Sequence, residues 1–352
     1  MRHYRLVFVL LFSASTLQTF SQGVGIPSRK AGIGFGNLPS FTGVRFNFKD
    51  RDLVKVNGIN VTAWMPKDED AMSGTVSGLA LGVPLAAGSG SIHGVGIGVF
   101  GVGARRNLYG INAGGLGVGA GGNVKGINVG GLGVGSGGSL WGINIGGLGV
   151  GSGGRVTGLN VGGLGVGAGG NLSGINVGGL GIGAAGKVSG INVAGLGIGS
   201  GGGVSGITMA LVGVGAGSRV NGITVAGIGV GAGEAVSGLT VAGIGVGSPT
   251  VRGIVVSPAA GGNNLKGFMI VPAYLRVGDP KNTDSDHDGP AAVMKGVSIS
   301  AFNHIMGTFN GVSIGIFNYA YHQRGLQLGL LNYVKDNPRG LRMLPLFNTS
   351  FK

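Results

Sequence analysis

The chain has no cysteine. That excludes disulfides, thiolate metal sites and lipid attachment to an N-terminal cysteine. Charge is also scarce, at 10% of residues, and only 11 of those are acidic. Sparse charge with a mean hydropathy of +0.42 is the opposite of the polar, charged composition that keeps a chain disordered. Proline numbers 11 beside 84 glycines, with no Gly-X-Y period, so a collagen triple helix is excluded. Beyond the first residues there is no run of ~18 apolar residues, the length a membrane-spanning helix needs. The formal charge of +14 favours anionic surroundings such as an envelope or lipopolysaccharide. Because the basic residues are scattered, with no run of five or six, nucleic acid is not an expected partner.

What the chain does have is glycine at a fixed period. Ten times from Gly94 to Gly238 a glycine recurs every sixteen residues and opens nearly the same phrase, as in Gly126-Ile-Asn-Val-Gly-Gly-Leu-Gly-Val-Gly-Ser-Gly-Gly-Ser-Leu-Trp141. So short a period means one small unit per repeat, which must stack on its neighbours to bury anything. Apolar residues inside the phrase are spaced by two, the strand period. The expected fold is therefore all-β: a β-solenoid of about sixteen residues per coil. The alternative is an outer-membrane β-barrel with one strand per repeat.

Val129 and Leu132 are three residues apart, and turns at Gly130-Gly131 and Gly137-Gly138, with positive φ, would return every apolar side chain to one side. On that reading Val124, Ile127, Val129, Leu132, Val134 and Ser136 point inward. Gly126, Asn128, Gly133, Gly135 and the variable positions Lys125, Trp141, Thr157 and Ser173 point out. One column reads Asn112, Asn128, Asn144, Asn160, Asn176, Asn192 and then Thr208, Thr224, Thr240. At ~4.8 Å between coils, such asparagines can hydrogen-bond along a structural ladder.

Residues 1–22 read as a secretory signal, with a basic start, the apolar run Leu6 to Phe12 and a polar exit. Atypical repeats and a cap follow at 23–93, then the glycine-rich array at 94–253. Residues 254–352 carry further atypical repeats and a loop insertion at 277–295. Terminal copies of this kind are what a stack needs to cover its open ends. The C-terminal phrases Gly296-Val-Ser-Ile-Ser-Ala-Phe-Asn303, Gly311-Val-Ser-Ile-Gly-Ile-Phe-Asn318 and Gly325-Leu-Gln-Leu-Gly-Leu-Leu-Asn332 resemble the repeat of a bacterial family of surface repeat-containing proteins, known from spirochaetes and also seen in Bacteroidota. The resemblance implies an exported envelope or surface protein and carries no biochemical role with it.

Candidate chemistry is thin. Asp284, Asp286 and Asp288, followed by Gly289, alternate carboxylates as calcium loops do, but the twelfth loop position is Lys295 rather than a bidentate glutamate. The two readings are a solvated acidic loop and a weak calcium site of order 10⁻⁴ to 10⁻³ M. Gly-x-Gly-x-x-Gly matches abound without the strand, helix and acidic partner that give them meaning. The five histidines form no zincin motif and no triad, and His93 replaces a variable outward residue. The aromatic and basic tail containing Phe317, Tyr319, Tyr321, Arg324, Tyr333, Lys335, Arg339 and Arg342 reads as a cap or as an adhesive patch. The expected protein is non-enzymatic and without a cofactor apart from that calcium candidate. Its expected place is the cell surface or outer membrane, with a structural or adhesive role toward envelope polysaccharide, lipopolysaccharide or other surface proteins. A barrel acting as pore or anchor is the alternative.

Overall fold

The computed structural model describes residues 23–278 and 292–350. The signal segment and the Asp284, Asp286 and Asp288 loop lie outside them. The described residues form two compact units, divided between Gly154 and Arg155. Each is a β-solenoid of about sixteen residues per turn, built coil on coil by parallel pairing. In the first unit Gly126 sits in register with Gly110 on one side and Gly142 on the other. In the second, Gly174, Gly190, Gly206 and Gly222 follow one another in the same way. A barrel with one strand per repeat would pair its strands antiparallel, so it is not the architecture of either unit.

One coil consists of a long strand such as Val124–Gly130 and a short one such as Gly133–Ser136, joined by glycine-rich corners. The register holds where the spacing does not. Gly58 pairs with Gly78 across a 3₁₀ turn at Glu69–Ala71, and Gly267 pairs with Gly296 across the insertion. Between Gly58 and Gly78 the extra residues, 65–72, leave the coil after one strand and rejoin it at the next while the stack continues. The outer strands reverse direction at one end of each unit. Val24–Pro27 runs antiparallel to Ala31–Phe35, and Met343–Thr349 runs antiparallel to the end of Phe302–Val334. A reversed strand ends parallel propagation and covers an edge that would otherwise template further pairing.

The interior differs from the sequence expectation. Val124, Leu140 and Val134 are buried, but Ile127 is 41% exposed, Val129 40% and Leu132 50%, while Asn128 is 0% exposed. The reason is the pleat. Alternation survives along the whole long strand, so Val124, Asn128 and Gly130 share the inner side, whereas Lys125, Ile127 and Val129 share the outer one. Leu132 then sits out at the corner. Hydropathy therefore does not separate the two sides: the coil lines its narrow interior with valine or leucine such as Val124 and Leu140, with valine or isoleucine such as Val134 and Ile182, and with asparagine, small residues and glycine, while Ile127, Val129 and Leu132 turn outward.

The glycine requirement also falls elsewhere. Positive φ belongs to the opening glycine in mid-strand, for example Gly126 at +124° and Gly190 at +103°, not to the corner pairs. A Cβ on Gly190 would lie 2.1 Å from the Gly174 carbonyl oxygen of the preceding coil. At the corners the constraint is one of size: a Cβ on Gly131 would lie 1.9 Å from the Gly115 oxygen, although Leu211 and Ala185 stand in the corner columns of other coils. By contrast a Cβ on Gly199, on the outer side of a short strand, would meet nothing within 4 Å.

Two alanine substitutions follow from this contrast. Gly190→Ala is expected to lower stability in urea titration by more than ~1 kcal/mol, because both φ and the neighbouring carbonyl oppose it. Gly199→Ala is expected to be neutral or to stabilise by up to ~1 kcal/mol. Equal midpoints for the two proteins would mean that the opening glycines are not a structural requirement.

Candidate functional surfaces

Three features stand out: a polar column inside the coils, an aromatic strip near the C terminus and apolar ranks outside. The column occupies the second position after each opening glycine. In the first unit Asn112 Nδ2 donates to Asn128 Oδ1 at 2.9 Å, and Asn128 Nδ2 to Asn144 Oδ1 at 2.9 Å. In the second, Asn160 donates to Asn176 at 2.9 Å and Asn176 to Asn192 at 2.8 Å. An amide ladder is directional, each coil donating to the next, so the first acceptor has no donor behind it. Asn112 Oδ1 accordingly has no hydrogen-bond partner, and it faces Gly96, where a Cβ would approach that oxygen to 2.8 Å. The threonines of the same column are buried as well, but the hydroxyls of Thr208 and Thr240 have no hydrogen-bond partner. The column therefore lies inside and is no ligand row.

Nearer the N terminus, beyond Gly96 and Ala80, which interrupt the column, the same position carries a buried ion pair. Arg45 takes the second position after Gly43. Its guanidinium donates to the Asp50 carboxylate, to Asn60 Oδ1 at 2.9 Å and to the Leu38 carbonyl at 2.7 Å. Asp50 also accepts from Asn60 Nδ2 at 2.6 Å and Thr62 Oγ1 at 3.0 Å. Burial pushes the Arg45 pKa below its usual value, against the opposing pull of Asp50. Each guanidinium nitrogen has a partner inside the protein, so the pair offers no open coordination to a ligand. Nothing in the sequence marks a lone arginine as buried; the place of Arg45 in register with Asn60 was the available signal.

The C-terminal coils carry a second ladder that was also missed. Asn303 Nδ2 donates to Asn318 Oδ1, and Asn318 Nδ2 to Asn332 Oδ1, both at 2.7 Å. These are the late asparagines of the C-terminal phrases. Outside them runs the aromatic strip. Tyr319 stacks on Tyr333 with centroids 5.2 Å apart and meets His304 edge-on at 5.0 Å. Lys335 lies 4.1 Å over the Tyr321 ring, and His322 pairs with Asp336. Desolvation first, then Tyr321 and Tyr333, push the Tyr319 pKa up to about 12. Burial and then Arg276 push that of His304 down, which holds its ring neutral near pH 7. These tail rings are engaged with one another from coil to coil.

Among the described residues no three His, Cys, Asp or Glu side chains gather as a metal site. His93 is exposed and stacks on Tyr109 with centroids 5.0 Å apart. The chain matches no family model, no curated protein and no solved structure in the comparisons.

The column's two residue types separate experimentally. Asn176→Val deprives the Asn160 amide of its acceptor and Asn192 of its donor, and is expected to cost about 1–3 kcal/mol. Thr208→Val removes a hydroxyl with no partner and is expected to be neutral or stabilising. Chemical denaturation of both variants measures the difference, and a destabilised Thr208→Val beside an unaffected Asn176→Val would contradict the ladder.

Proposed function

We propose that the protein is an exported, non-enzymatic element of the cell surface or outer membrane with a structural or adhesive role. The observation that carries this reading is the outside of the coils. The same Ile, Val and Leu ranks recur coil after coil, with Ile127, Leu132, Ile175 and Leu180 between 41% and 50% exposed. Contiguous exposed apolar surface marks contact with another molecule or a membrane, and a repeated face suits extended contact better than a single reaction centre. The signal-like residues 1–22 and the likeness of the C-terminal phrases to surface repeat proteins support export. Interior asparagine ladders suit such a setting, since they hold a stack together without disulfides.

The reading is tested on cells of the source organism with antibody to the native protein. The expected result is recovery with the envelope fraction, processing near Gln22, and digestion when intact cells are exposed to protease. Full recovery in the soluble cytoplasmic fraction with residues 1–22 retained would overturn it.

A further inference from the structure

The outward residues of a coil fall into three sectors. The first is apolar, formed by Ile127 and Val129 on the long strand and Leu132 at the corner. The second is bare, because the outward residues of the short strand, Gly133 and Gly135, have no side chains. The third carries all the charge. From Gly94 to Gly253 there are seven basic residues and one acidic residue, Glu234, and none of them falls within the ten residues after an opening glycine. Lys125, Arg155 and Lys187 are typical and exposed; Arg219 is exposed too and pairs with Glu234 at 2.9 Å.

The apolar and basic sectors adjoin. Lys125 and Ile127 leave the same side of one strand, two residues apart. Tyr109 and Trp141 occupy the same border position as Lys125 in the coils on either side of it, and both are half-buried. An apolar face edged by basic residues and by Trp and Tyr is the distribution of a body lying in a lipid interface, where amphipathic rings sit at headgroup level. In the C-terminal coils the apolar sector continues as an open groove of about 540 Å³ lined by Ile299, Ile314, Ile316 and Leu328.

Resting on the surface role proposed above, we propose that the apolar sector seats on an anionic phospholipid bilayer. The isoleucines and leucines enter the acyl boundary, and the basic border meets the lipid phosphates. A second copy of the chain is the competing occupant, but its array would offer seven basic residues a single acidic partner. Phosphates complement that border; another copy does not.

The test is flotation of the mature protein with phosphatidylglycerol-containing vesicles and with purely phosphatidylcholine vesicles. Trp141 fluorescence is followed in a Trp64→Phe background with brominated lipid. Expected results are preferential binding to the anionic vesicles, weakening as salt rises, and quenching of Trp141. Replacing Ile175, Ile191, Ile207 and Ile223 by serine, with fold checked by circular dichroism, is expected to abolish flotation. Changing Lys125, Arg155 and Lys187 to glutamine is expected to weaken binding on the order of a hundredfold, at roughly fivefold per basic residue near the surface. That variant also keeps the proposal testable should the serine variant not fold.

Failure of the folded protein to bind anionic vesicles overturns the proposal. So does binding unchanged by the glutamine substitutions. Isoleucine-dependent dimers in ultracentrifugation without vesicle binding would assign the face to a second copy. A protein digested on intact cells that nevertheless ignores vesicles would sink the lipid inference alone, whereas a cytoplasmic protein would sink the surface role with it.

Discussion

Everything in the coils depends on how closely one glycine approaches the next. Within each unit the opening glycine of a repeat lies in register over its counterpart one coil back, and φ lies between +100° and +129° from Gly94 to Gly238. A Cβ at these positions would come within 2.3 Å of the preceding carbonyl oxygen at every site from Gly94 to Gly142 and from Gly174 to Gly238. No L side chain tolerates both conditions. The sixteen-residue period is the trace of this one contact, because each coil must deliver a glycine to the same place or shift the backbone of its neighbour. Where spacing changes, as between Gly58 and Gly78, the chain expels the surplus into a loop and keeps the contact.

Close stacking then decides what the interior can hold. A coil of one seven-residue and one four-residue strand offers few inward positions, and part of that space goes to groups that satisfy themselves vertically. The asparagine amides donate forward from coil to coil, which makes the ladders polar in direction and leaves an orphan acceptor at the start, seen at Asn112 and again at Asn303. Such ladders fix register in a way that aliphatic contacts cannot, since sliding one coil by a residue would leave an amide buried without a partner. Beyond the interruption at Gly96 and Ala80, the same position holds Arg45, whose charge is satisfied by Asp50 inside the protein.

The sequence made the repeat, the coil length and the stacked asparagine column legible, because each is a matter of identity at fixed intervals. It did not reveal which side of the strand was inside. Ile127, Val129 and Leu132 are the most apolar residues of the phrase, and the rule that apolar residues are buried sent them inward. Strand alternation, read strictly from Val124, would have placed Asn128 inside and both Ile127 and Val129 outside. Two rules conflicted, and geometry prevailed over hydropathy. The Arg45 cluster stayed hidden for a related reason, since a lone arginine gives no sign of burial until its column is recognised.

Whether one period is one coil can be measured most directly by deleting a single repeat within one unit. Removing residues 174–189 joins Ser173 to Gly190 and restores every column. The shortened protein is expected to keep its β-type circular dichroism and a cooperative unfolding transition, with only a small loss of stability. Removing residues 174–181 instead puts the glycine and asparagine columns out of step and is expected to abolish that transition. Equal damage from the two deletions, or survival of the half-repeat deletion, would contradict the account.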